Sequence, residues 1–376
     1  MHLDFILNKG AAIVSFESGA ISSRVFYVPQ DLPADAVDRF NANALPSLDS
    51  LRADPIDGWV GHRHLLDRPV TEDNAYRAGH LHLAVAQAKR VIPPALLKAE
   101  RTMEELAELQ ASGHSYLSRK KKLEIKQQVV ERLLPTMPPQ LTGIEVVQSA
   151  TEPLLYATCL SEKQMDAFQI QFARAIGYAL IPAWPADVAL RRKQINVDDL
   201  SPTSFSPDLE DHQVHHIVGE DFLTWLWYMS EHEQGAITLE DGVDLSVMIE
   251  GPLTFHMEGD GAHVAVLRKG TPLTSAEAKT ALLVGKKLSQ AKIHLALRDQ
   301  AWSCGLDANQ FIFRGLKLPE PEEKLDPISR FQERMRLLDQ FVGLFFRLYD
   351  EFIVRRTNPE EWGDEVRRIR KWVADR

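Results

Sequence analysis

From Asp326 to Arg356 the apolar residues Phe331, Met335, Leu338, Phe341, Phe345, Leu348 and Phe352 keep helical spacing for about three heptads. Helices of globular proteins are usually shorter, and a stripe carrying four phenylalanines has to be kept from water. The pattern predicts a long helix covered either by the rest of its own chain, the reading we favour, or by a second copy. The chain can supply such a cover. Of its 376 residues 44% are hydrophobic, enough for one large domain or two to three subdomains. Other apolar runs are short or broken by charge, so no membrane span is expected. The start MHLDFILNKG lacks a cationic leader ahead of an apolar stretch, which gives a cytoplasmic expectation. Cys159 and Cys304 lie far apart without CxxC spacing and read as small buried hydrophobes.

Short strands separated by turns are expected first, at 11–16, 24–28, 58–60 and 80–85. Pro93-Pro94, Gly113 and Pro135 then punctuate two helical periods, predicting a helical hairpin over 95–134. Strands at 144–147 and 154–160 precede a helix that Ser161 and Gln164 open as a capping box and Gly177 closes. The segment 201–210 reads as a loop or insertion, and Phe222–Met229 as a tryptophan-rich helix. A β-rich stretch with turns at Asp241-Gly242 and Asp260-Gly261 follows. Next come a helix from Ser275 to Leu288 and strands at 293–297 and 311–316. Asn358-Pro359 starts a last helix. The expected class is α+β, with mixed short β-sheets, a projecting hairpin and a long C-terminal helical segment. Its expected regions are an N-terminal α+β region 1–185, a linker or insertion 186–245, a second α+β region 246–318 and a helical tail 319–376.

Charge is the main functional signal. The formal net charge is −10, yet Arg119, Lys120, Lys121 and Lys122 are consecutive and Lys126 follows one turn on. Cations in a first helical turn face the positive end of the macrodipole, at about 0.3–1 kcal/mol each on an exposed helix. A solvated face, an acidic protein or a polyanion could offset this, and nucleic-acid phosphates do so through shared counterion release. Further basic groups occur at Arg191-Arg192-Lys193, Arg268-Lys269, Lys286-Lys287, Arg367-Arg368 and Arg370-Lys371, the last four read as a solvated helix face.

Enzyme signals are weaker. Gly285-Lys286-Lys287 fails as a phosphate-binding loop, because Thr280 and Lys287 stand where Gly and Ser or Thr are needed. Asp241, Asp244, Asp260 and Glu277-Ala278-Lys279 could be assembled into a metal-dependent nuclease site only if turns and a helix converged. His212, His215 and His216 read as surface histidines, and His62, His64, His80 and His82 as a polar strand face. No catalytic, metal or cofactor site is expected.

Leu273-Thr274-Ser275-Ala276-Glu277 with Gly285-Lys286, Gly58-Trp59-Val60, Arg90-Val91-Ile92-Pro93 and Leu133-Leu134-Pro135 together, in that relative placement, resemble the RdgC family of bacterial recombination-associated DNA-binding proteins. The likeness covers about 1–185 and 245–318. It departs at Gly61-His62, where two prolines are common in the family, in the 201–245 segment, and in the longer tail. The resemblance implies a ring-shaped homodimer that encircles double-stranded DNA without reading sequence, possible binding of single strands, and restraint of RecA-type recombinases in the nucleoid. It also implies phosphate-binding positions at Lys286, Lys269, Arg119, Lys122 and Lys126. Lys120, Lys121, Lys287 and Arg268 join them on charge alone. The alternatives kept are a metal-dependent exonuclease and an interaction protein that uses its helical tail on recombination or phage partners.

Overall fold

The computed structural model describes residues 16–232, 235–257, 263–268, 270, 273, 275–321 and 324–375. β1 (Ile21–Tyr27), α1 (Ala36–Ala42), β2 (Ile56–Gly61), the single turn α2 (Glu72–Ala75), β3 (Tyr76–Arg77) and β4 (His80–Arg90) come first. Helices α3 (Pro94–Ser112) and α4 (Arg119–Leu133) stand between β4 and β5 (Pro139–Gln148). β6 (Leu154–Ala157), α5 (Glu162–Ile176), β7 (Ile181–Pro182), α6 (Pro185–Lys193) and α7 (Val218–Glu231) lead into β8 (Ala236–Thr238), β9 (Asp244–His256) and β10 (Val264–Leu267). After α8 (Ala276–Leu283) come β11 (Lys287–Leu297), β12 (Gln300–Asp307) and β13 (Ile312–Lys317), and the chain closes with α9 (Pro327–Thr357) and α10 (Pro359–Ala374).

The class is α+β, but the strands join one open antiparallel sheet rather than several short ones. Its path is β10-β9-β11-β12-β13-β1-β6-β5-β4-β2. β1 is the joint: Ile21 and Ser23 pair with Leu316 and Phe313 of β13, while Arg24 to Tyr27 pair with Ala157 to Leu154 of β6. Alternation along a strand assigns its two faces but not its neighbours, so this long-range pairing was invisible to periodicity. Gly58 has a local reason. A Cβ there would lie 2.5 Å from the Leu45 backbone nitrogen, where the chain crosses β2 at the Ala44–Trp59 bridge.

The long helix is covered by its own chain. Phe331, Met335, Leu338, Phe341, Phe345, Leu348 and Phe352 are all at most 1% exposed and share a core with β-strand residues of both halves and with α7. That removes the stripe as a surface for a second copy or another partner. Polar latches fix its register: Tyr156 Oη donates to Asp339 at 2.5 Å, and Arg334 donates to the carbonyls of Phe16 and Gly19 at 2.8 Å. The tryptophan-rich α7 is buried from Val218 to Met229. Loop residues Thr203 to Ser206 are buried too, Trp362 Nε1 donating to Thr203 Oγ1 at 3.0 Å.

Several local expectations change. The helix expected to reach Leu288 ends at Leu283, because Gly285 takes a φ of +87° and the chain turns into β11. The histidines at 80 and 82 do not mark a polar face: both are buried, and His82 stacks on Phe331 and His62 while its Nε2 lies 2.9 Å from Glu145 Oε1. Both cysteines are buried and unpaired, and burial raises their thiol pKa values, that of Cys159 to about 12. Of the strand expected at 11–16 only Phe16 is described, and it is not in a strand; the rest of it and the Asp260-Gly261 turn lie outside the described residues.

Candidate nucleic-acid interface

The hairpin is built to carry charge away from the sheet. Ser118 caps α4, its Oγ accepting from the Lys121 amide at 3.2 Å, so the helix starts at Arg119 with no acidic residue in its first turn. Gly113, with φ +67°, ends α3 and turns the chain. One stripe of α4 packs on α3: Ile125 and Val129 are buried between an ion pair of Lys121 with Glu108 (3.0 Å) and pairs of Arg132 with Glu100 (3.0 Å) and Glu104 (2.9 Å). No residue of α3 is fully buried, which is what a projecting arm predicts. With 19 residues, α3 is about 28 Å long.

That packing decides which cations face solvent. Lys121 turns to α3, whereas Arg119, Lys120, Lys122 and Lys126 are exposed and have no acidic or hydrogen-bonding side-chain partner among the described residues. Arg119, Lys122 and Lys126 follow an i, i+3, i+7 spacing, one line on the helix, across about 10 Å of rise. A groove of about 530 Å³ beside the hairpin root adds Lys89, Lys163 and Arg174 against one carboxylate, Asp57. These three cations were not legible as a site, since they lie in separate segments, 74 and 85 residues from Lys89 for Lys163 and Arg174, and only the pairing of β4 with β5 and the docking of α5 bring them together.

The other proposed positions separate. Arg268 is exposed beyond β10, Lys286 is half-buried in the turn before β11, and Lys269 lies outside the described residues. Through the antiparallel registers, the hairpin leaves the sheet at the end where β11 finishes, while Lys286 precedes the start of β11. Six strand spacings, about 29 Å of sheet, also lie between β4 and β11. Lys287 is a correction. Its side chain is 1% exposed and its Nζ lies 2.6 Å from Asp221 Oδ1, so it cannot meet a phosphate. Burial alone would raise the Asp221 pKa, but Lys287, His216 and Arg356 together hold it below the usual carboxylate value. Alternation could not reveal this pair, which joins α7 to a strand 66 residues later.

Other basic groups serve the fold. Arg191 lies over Tyr27 at 5.2 Å, Arg192 binds Asp350 at 2.7 Å, and Lys193 binds Glu240 at 2.6 Å. Arg367 pairs with Asp364 and Arg370 with Asp211, while Trp362, Val366, Ile369 and Val373 face the core. The nuclease residues do not converge among the described residues: Asp241 pairs with Arg347, Asp244 accepts from Thr238 at 2.6 Å, and Lys279 packs 3.4 Å from the Trp372 ring centre. Nor do His215 and His216 lie on the surface as a free pair. His215 is 3% exposed at its side chain and bonded to Glu220, and His216 Nδ1 lies 3.5 Å from Asp221 Oδ2.

A family model described as RdgC, "Putative exonuclease, RdgC", matches residues 58–194, the span from β2 through α6 that contains the whole hairpin. No curated protein matches the chain. The match supports a recombination-associated protein.

Proposed function

We propose that this chain, which belongs to the RdgC family over residues 58–194, is a non-enzymatic protein that holds double-stranded DNA by its phosphates through the outer face of α4. The observation that carries this reading is the division of labour on one helix. Lys121 is spent on Glu108, and its neighbours Arg119, Lys120, Lys122 and Lys126 are exposed without acidic partners. In a chain of net charge −10, that arrangement costs helix stability unless an outside anion compensates. Contacts of this kind go to the backbone and fix position without specifying bases.

In the same reading two copies pair so that both hairpins face one opening, with Arg268 and Lys286 contributing from the other end of the sheet. The acidic remainder repels DNA from the outside of the ring. Occupied duplex is then closed to a RecA-type recombinase, which gives the protein its place in the cytoplasm, on the nucleoid. Single strands meet the same cations with a lower charge density, so they bind more weakly.

The test is the salt dependence of duplex affinity for the wild type and for the combined Arg119→Ala, Lys120→Ala, Lys122→Ala and Lys126→Ala variant, with the oligomer mass measured alongside. Each phosphate contact contributes a log–log slope of about −0.9, so four lost contacts flatten it by up to about 3.6 per hairpin. An unchanged slope in a variant of unchanged mass removes α4 from the interface.

A further inference from the structure

We propose that His215, Glu220 and His256 form a binding site for one divalent transition-metal ion of the zinc class, which clips the loop before α7 to the end of β9. Each residue comes from a different segment: His215 from that loop, Glu220 from the first turn of α7, and His256 from the last position of β9. One donor atom of each lies within 4.8 Å of the others. His215 Nε2 is 2.5 Å from Glu220 Oε2, and His256 Nδ1 is 2.9 Å from Glu220 Oε1. Two imidazole nitrogens and one carboxylate oxygen suit zinc, whereas magnesium and calcium prefer oxygen throughout.

Charge gives an independent reason. Glu220 is 0% exposed, and among the described residues no lysine or arginine pairs with it. Two buried cations of this region, Lys287 and Arg356, are both directed at the adjacent Asp221 instead, at 2.6 and 3.5 Å. A buried carboxylate needs a countercharge, and here its neighbours are two imidazoles and the Asn309 amide, whose Nδ2 donates to Oε1 at 2.9 Å. A dication between the imidazoles supplies that charge. Two further features fit an ion. Asn309 Oδ1 is buried with no hydrogen-bond partner, an oxygen donor left over at the edge of the cluster. The His256 side chain is 27% exposed, which opens the site to water as a further ligand and gives the ion a way in.

The experiment uses the full chain, free of any histidine tag, stripped with chelator and then titrated with Zn²⁺ and with Co²⁺. The comparison is His256→Gln, chosen because His256 is partly exposed and its loss spares the core. In the wild type we expect about one ion per chain, a visible Co²⁺ absorption typical of low-coordinate N/O ligation, and a Tm raised by Zn²⁺. In H256Q the absorption disappears and affinity falls by at least about tenfold. A wild type that takes up no ion and whose Tm ignores Zn²⁺ shows the cluster to be a hydrogen-bonded triad only. Equal uptake by H256Q places the ion elsewhere. Either result overturns the proposal.

Discussion

Replacing Lys287 by methionine keeps the aliphatic stem and deletes only the charge, so it tests whether this cation serves the core or a polyanion. In the wild type its ammonium lies 2.6 Å from Asp221 Oδ1, with both side chains at most 1% exposed, and donates to the His215 carbonyl at 2.9 Å. Methionine leaves the buried carboxylate facing Arg356 Nη2 and His216 Nδ1, each at 3.5 Å. Breaking a buried ion pair from one side costs about 3–5 kcal/mol. The longer Arg356 contact softens the loss, so we place it at the lower limit, about 3 kcal/mol, or roughly a 150-fold shift in the folding equilibrium.

Urea unfolding, followed by tryptophan fluorescence and far-ultraviolet dichroism, reads this as a lower midpoint at an unchanged slope. Asp221→Asn combined with Lys287→Met should recover part of the loss, because neither residue is then a stranded charge. The pH dependence has a definite sign. The Asp221 pKa is lowered in the fold, so the pair's contribution is complete above the unfolded carboxylate value, about 4, and fades as pH falls through the folded value. A cost under about 1 kcal/mol at neutral pH would refute the structural role. A duplex salt slope flattened by about 0.9 in Lys287→Met would refute it more directly, since Lys287 would then be reaching a phosphate.

Burial, followed by the charges of His82 and Arg77, pushes the His62 imidazole down to about 4. The unfolded chain therefore binds the extra proton between about pH 6.5 and 4, and stability falls across that window on acidification. His62→Gln should remove this part of the pH profile, on the order of 1–2 kcal/mol after allowance for the solvent that reaches the ring; an unchanged profile of urea midpoints against pH would show that the ring titrates normally. Deleting residues 319–376 strips α9 and α10 from the core and should yield an insoluble or unfolded chain, judged by soluble yield and dichroism. A folded, DNA-binding truncation would show the tail to be dispensable after all.

Much of the local structure was legible because it depends on neighbours in sequence. Gly113 and Gly177 end helices with positive φ, Ser161 with Gln164 forms the capping box, and Asn358 with Pro359 starts α10. The exposed cations at 119, 120 and 122 were legible for the same reason, since the four consecutive positions 119–122 on a helix cannot all be turned inward, and Lys126 lies one turn beyond Lys122. Lys287 and Lys121 differ from them only through what packs opposite, Asp221 in one case and Glu108 in the other. Nothing within a turn of either lysine announces its partner.

Helix boundaries, the hairpin, the apolar stripe of α9 and the placement of positive charge follow from propensity, capping and periodicity, whose reach is a few residues. Pairing of β1 with both β13 and β6, burial of His82, and removal of Lys287 from the charged surface required contacts between segments 60 to nearly 300 residues apart. Such contacts are selected by how whole faces fit and by where buried charges can be neutralised. Those conditions exist only once the sheet has closed over its helices.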